Sequence, residues 1–132
     1  MLYFNNLANS KKMPKIMSDQ IVELKTEYRN AAFIHGQATS IGDSKTANKS
    51  HDELIETLKK MRTCGKDGEL ALLSLTEDKD DFVAGWAATH ILSFDEKYAL
   101  NVLDKLSKKS GIAGFDAKMV IQEWKKGNLN IN

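Results

Sequence analysis

Residues 81–92, Asp-Phe-Val-Ala-Gly-Trp-Ala-Ala-Thr-His-Ile-Leu, constrain this chain more than any other stretch. At 3.6 residues per turn, only Asp81, Gly85, Thr89 and Ser93 form a polar or small outward stripe. Val83, Trp86, Ala87, His90, Ile91 and Phe94 fill one side, and Ala84, Ala88 and Leu92 fill another. A helix that is apolar over most of its circumference belongs at the centre of a fold, enclosed by other elements. Its small residues let neighbours approach closely, which predicts short helices stacked around one inner rod.

The remaining sequence breaks naturally into such helices. From Ser18, placed as an N-cap, Ile21, Leu24, Tyr28, Ala31, Ala32, His35 and Ala38 recur at spacings of three and four until Ile41-Gly42. Gly36 weakens that helix by about 1 kcal/mol relative to alanine. Residues 43–49 read either as a turn or as the first turns of the next helix. Ser50 to Glu53 fits a capping box ahead of the stripe Leu54, Ile55, Leu58 and Met61. A short apolar helix spans Glu69 to Leu75. Ser93 to Glu96 offers a second capping box before Ala99, Val102, Leu103 and Leu106. The last helix carries Phe115, Met119, Ile121 and Trp124 before Lys125, Lys126 and Gly127 stop it.

No stretch alternates apolar and polar residues over the length of a strand. The expectation is an all-α fold: a compact right-handed stack of about six helices, arranged as HEAT- or armadillo-like hairpins that each bury an apolar face against the next. Its expected core holds Tyr28, Leu54, Leu58, Val83, Trp86, Ala87, His90, Ile91, Leu103 and Trp124.

A chain of 132 residues is expected to form one domain with a substantial core. Residues 1–16 read as a leader, tag remnant or flexible arm, and 17–132 as the single helical domain. The first 16 residues carry three lysines and no acid, so without them the net charge moves from +1 to −2. Neither value suits a general nucleic-acid binder, which is distinctly basic. The lone Cys64 rules out an intrachain disulfide and gives no sign of an oxidising compartment. With no apolar run long enough to cross a bilayer, a membrane role is not expected, and the expected location is the cytoplasm.

Catalytic signatures are missing. His35, His51 and His90 are not spaced at i, i+3 or i+4 from one another, and there is no HExxH motif, so no metal is expected. His90, on the inner rod, reads as a hydrogen-bonded core histidine, and His51 as part of a capping turn. Neither a nucleophile elbow nor a phosphate-binding loop occurs. No enzyme activity and no cofactor are therefore expected.

Two charged features remain. Glu77, Asp78, Asp80 and Asp81 put four carboxylates in five positions, relieved by Lys79. They suit the N-terminus of the inner helix, whose dipole favours them, and they also suit a basic partner surface. With Asp52, Glu53 and Glu56 they would form an acidic face if consecutive hairpins stack, and such a face selects and steers a partner. Lys108, Lys109, Lys125 and Lys126 lie at helix ends, where solvated, dipole-complementing roles suffice.

Asp81-x-Val83, Ala87-Ala88 and Ile91-Leu92 resemble the second helix of HEAT repeats, although Ala84 stands where an arginine usually follows the valine. More specifically, the chain resembles a small bacterial family, domain-of-unknown-function 2019, over about residues 18–129. The likeness is carried by Tyr28, Ala31-Ala32, Asn48, Asp52, Gly65, the block Gly85 to Leu92, Ala99, Leu103 and the closing Glu123-Trp-Lys-Lys-Gly127.

This resemblance implies a helical stack without an established enzyme activity. Small helical-repeat domains of this kind also serve as immunity proteins that plug a toxin domain. The resulting expectation is a protein-binding module, a monomer or weak dimer, whose partner is a cognate toxin domain. A HEAT-like nucleic-acid-binding domain and a scaffold or adaptor are the alternatives.

Overall fold

Three aspartates decide where helices begin. Asp43, Asp80 and Asp95 each accept a backbone amide three residues ahead, from Thr46 at 3.1 Å, Val83 at 3.0 Å and Tyr98 at 3.2 Å. This satisfies donors that a helix start leaves without a partner. In the computed structural model, which describes residues 15–131 and their side chains from Asp19 onward, these caps open α2 (Ser44–Thr63), α4 (Asp81–Ile91) and α5 (Glu96–Ser107). The other helices are α1 (Lys15–Ser40), α3 (Lys66–Leu75) and α6 (Ile112–Lys125). The described residues are all-helical, with six helices and no strand.

Both expected capping boxes give way to these aspartates. Asp43 also accepts the Thr46 hydroxyl at 2.7 Å, and nothing in residues 44–49 breaks a helix, so α2 starts early. Ser50 lies buried in mid-helix and donates to the Thr46 carbonyl at 2.8 Å. Ser93 likewise caps nothing; it sits in the turn closing α4 and donates to the His90 carbonyl. Ser18 falls inside α1, because Lys15, Ile16 and Met17 all tolerate a helix. Position 17, taken from the sequence as a domain start, is thus a helical residue. The reading of 1–16 as a leader or arm falls largely outside the described residues. Helices α3 and α6 also begin three residues before Glu69 and Phe115.

Helix α4 is the inner rod. Val83, Ala87, Ala88 and Ile91 have no exposed surface, and Ala84 and Leu92 have almost none. Even Thr89, placed by periodicity on the outward stripe, is buried, its hydroxyl donating to the Gly85 carbonyl at 2.7 Å. Phe94 departs from expectation: α4 ends at Ile91, and the ring beyond it is 38% exposed. Around this rod pack α1, α3, α5 and α6, while α2 lies along α1 and α3. Leu54, Leu58 and Met61 from α2, Leu72 and Leu75 from α3, and Leu103 and Leu106 from α5 complete the core.

The corners between α2 and α3 and between α5 and α6 share one device, Gly65-x-x-Gly68 and Gly111-x-x-Gly114. The first glycine of each has a positive φ, 59° and 96°, which turns the chain sharply. The second lets the new helix press on the preceding segment. A Cβ on Gly68 would collide with the Met61 carbonyl, and one on Gly114 with the Lys109 carbonyl.

Glycine substitutions separate this close packing from helix propensity. A Cβ on Gly85 would meet only Leu106 Cδ1, at 3.8 Å, so Gly85→Ala should stabilise by up to about 1 kcal/mol. Gly114→Ala should instead destabilise by about 1–3 kcal/mol, because backbone must move. Urea midpoints check both values, and shifts of the same sign would refute the packing account.

Candidate functional site

Trp86 brings together residues that the sequence keeps apart. Trp86 and His90 stand one turn apart on α4, while His35 comes from α1 and His51 from α2. The Trp86 ring centre lies 5.4 Å from that of His35, 5.6 Å from His51 and 5.5 Å from His90. His35 and His51 are 6.0 Å apart. All three histidines therefore surround one half-buried indole.

The pairing follows from how α1 crosses α4. Tyr28 and His35 lie two turns apart on the same face of α1. Tyr28 meets His90, His35 meets Trp86, and Gly36 meets Phe82. Residue numbers rise on one helix as they fall on the other, so the two run antiparallel. Gly36 now has a reason beyond its helix cost: any Cβ there would strike the Phe82 ring.

At the inner end, the Tyr28 hydroxyl and His90 Nδ1 are 2.6 Å apart. Burial pushes the His90 imidazole down to about 3, with Arg62 and His51 adding repulsion. It also pushes the Tyr28 phenol well above its ordinary value, against an opposing pull from Arg62. The hydrogen bond thus joins two neutral partners, the cheapest way to satisfy polar groups in a dry core.

At the outer end, His35 faces a cavity of about 330 Å³ between α4 and α6. Burial holds the His35 imidazole below its usual value, helped by His51 and opposed by Asp116. Burial raises the Asp116 carboxyl, which the nearby His35 partly offsets. The cavity walls include Phe82, Trp86, Leu103, Ala117 and Val120. Among the described residues, no three His, Cys, Asp or Glu side chains are grouped to hold a metal ion.

The seven acidic positions singled out from the sequence fall into two groups. Asp52, Glu53 and Glu56 are exposed along α2. Together with Glu27 they line a groove of about 490 Å³ between α1 and α2, with Lys60 the only base among its walls. The hinge acids are committed elsewhere. Asp78 accepts Arg29 Nε at 2.8 Å and Nη2 at 3.3 Å, and also the Asp80 amide at 2.9 Å. Asp80 caps α4, and Asp81 accepts Lys109 Nζ at 2.9 Å. Glu77 is exposed. On α1, Arg29 lies about 200° around the helix from Glu27, so the hinge and the α2 carboxylates do not share a face.

Several residues of this arrangement carried no local signal. Arg29, Glu27, Ile34 and Asp116 are ordinary positions on amphipathic helices, and only the crossing of those helices gives them partners. Both tryptophans sit at the margin of the core. Trp124 is half-buried and donates its Nε1 to Glu96 Oε2 at 3.0 Å.

Acid should loosen the fold through His90. An unfolded imidazole protonates near pH 6.5, whereas the folded one resists protonation down to about pH 3. A lowered folded value means that stability is full above 6.5 and declines as pH falls, by about 1.4 kcal/mol per pH unit. Between pH 7 and 5 the loss from this group should be about 2 kcal/mol. Urea titrations should show that loss diminished in the double variant Tyr28→Phe/His90→Leu, and an equal loss in both proteins would sink the assignment. Compared with known protein families, with curated proteins and with solved structures, the chain gives no match.

Proposed function

We propose that this chain is a non-enzymatic protein-binding module, and specifically an immunity protein that blocks the cleft of an antibacterial toxin domain in the cytoplasm. One observation supports the binding role above others: the composition of the α1–α2 groove. Its floor is made of small or buried residues, Ala31 and Thr57. Ile34, 43% exposed, offers an apolar anchor within it. Four carboxylates, Glu27, Asp52, Glu53 and Glu56, flank that anchor against a single Lys60. An apolar centre with a charged border is the anatomy of a protein interface. The sign of the charge suits a basic partner, such as the substrate-binding cleft of a nuclease.

The mechanism is steric and electrostatic. Acidic groups steer a basic domain into contact and fix its orientation, and the bound module then denies substrate access. The nucleic-acid alternative has less in its favour. Lys108 lies 3.3 Å from Asp104, Lys109 lies 2.9 Å from Asp81 and Lys126 lies 3.7 Å from Glu123. Their charges are largely offset within the chain.

The reading expects a toxin domain to be encoded by a neighbouring gene, and co-expression with it tests the proposal. The protein should rescue growth, and Glu53→Lys/Glu56→Lys should lose that rescue while remaining folded. Association with the purified toxin should slow on the order of 10-fold from low to high salt. Continued killing in the presence of the unaltered protein would overturn the reading.

A further inference from the structure

The cavity between α4 and α6 exists because its facing positions are small. Gly85 on α4 and Ala113 and Ala117 on α6 all line it, and a Cβ built on Gly85 would meet nothing from α6 within 4 Å. Close-packed interiors leave few voids larger than a water molecule, and 330 Å³ reaches the lower end of the range for small-molecule sites. Phe82 and Trp86 supply aromatic walls, and Leu103 and Leu129 supply aliphatic ones.

The polar side chains at this cavity are weighted toward acceptors and negative charge: Asp81, Asp116 and Thr89 stand against two neutral donors, the Trp86 indole N–H and one ring N–H of His35. Asp116 stands at the exposed rim without a hydrogen bond or ion pair among the described residues, and the titratable group that acts on it is His35. Asp81 also lines the cavity, its carboxylate shared with Lys109 on the exposed side. The Thr89 hydroxyl has already given its proton to the Gly85 carbonyl, so it can only accept. His35, kept neutral at pH 7, brings no opposing charge. A carboxylate or phosphate ligand would find no cation here and a carboxylate against it. A ligand carrying a positive charge and hydrogen-bond donors would find a carboxylate, a hydroxyl acceptor and aromatic faces, the surroundings that favour ammonium groups.

We infer that this cavity binds a small organic amine, with its ammonium group on Asp116 and its apolar body between Trp86 and the aliphatic wall. Trp86 is the receptor's aromatic face, Asp116 its charge-recognising group and Thr89 an auxiliary acceptor. Burial already disfavours the unpaired Asp116 carboxylate, and a bound cation would relieve that cost. The amine site lies between α4 and α6 and the acidic groove between α1 and α2, so either can fail without the other.

Phenethylamine, 2-phenylethanol and 3-phenylpropionate form a test series of similar shape with positive, neutral and negative ends. The Trp124→Phe variant leaves Trp86 as the sole indole, and its emission, with calorimetry on the unaltered protein, reports binding. Phenethylamine should saturate and raise the melting temperature, the alcohol should bind at least 10-fold more weakly, and the acid should not bind. Asp116→Asn, at an exposed rim position, should weaken the amine at least 10-fold with its helical circular dichroism unchanged, whereas Glu56→Gln in the groove should leave affinity intact. Equal binding of the acid, unchanged affinity in Asp116→Asn, or no amine binding at millimolar concentration would each overturn the inference. Should Asp116→Asn misfold, the ligand series on the unaltered protein decides alone.

Discussion

The whole arrangement depends on enclosing α4. Seven of the eleven residues of α4 are buried, so the helix is stable only where others cover it, and alanine at positions 84, 87 and 88 lets them come close enough to do so. That demand explains the order of packing: α1, α3, α5 and α6 touch the rod directly, and α2 shields α1 and α3. It also explains the cavity. Small residues that admit neighbours elsewhere leave space unfilled where Gly85 of α4 and Ala113 and Ala117 of α6 line one cavity. Tight enclosure and an open pocket are two results of one choice of residue size.

Polar groups inside the molecule divide by how they are satisfied. Tyr28 and His90 remain neutral and bond to each other, which suits a dry core. The hinge carboxylates keep their charge but spend it locally, on Arg29, on two backbone amides and on Lys109. The exposed Lys109–Asp81 contact is worth at most about 1 kcal/mol. Asp78 is better sheltered, and its three accepted hydrogen bonds fasten α1 to the start of α4. Carboxylates not engaged in this way include Glu27, Asp52, Glu53 and Glu56 in the groove and Asp116 at the cavity rim, and these are available to another molecule.

Much of the fold was legible in the sequence because periodicity reports burial. The inner rod, the all-helical class and the stripe Leu54, Leu58 and Met61 all follow from residue spacing alone. Helix starts were less legible. Ser50 and Ser93 carry the right neighbours for capping boxes, but aspartates at 43 and 95 sit where the backbone turns, and a carboxylate cap prevails over a serine inside a continuing helix. The histidine cluster and the division of acidic residues were not legible at all. His35, His51 and Trp86 belong to three helices, so no spacing rule connects them. The partners of Asp78 and Asp81 lie 49 and 28 positions away. Relations of that kind arise from crossing angles, which a linear pattern does not encode.

The two glycine corners bear on the order in which the chain assembles. Each joins helices adjacent in sequence, so closing it restricts only a few residues and costs little entropy. Docking of α1 on α4 instead joins Tyr28 to His90, 62 positions apart. The α1–α2 hairpin, joined by a turn just as short and packed more extensively, is an equally local unit, so the costly closure is the docking of α1 on α4. In entropic terms the corners are inexpensive local closures, and the tyrosine–histidine contact is the long-range latch that fastens them into one body.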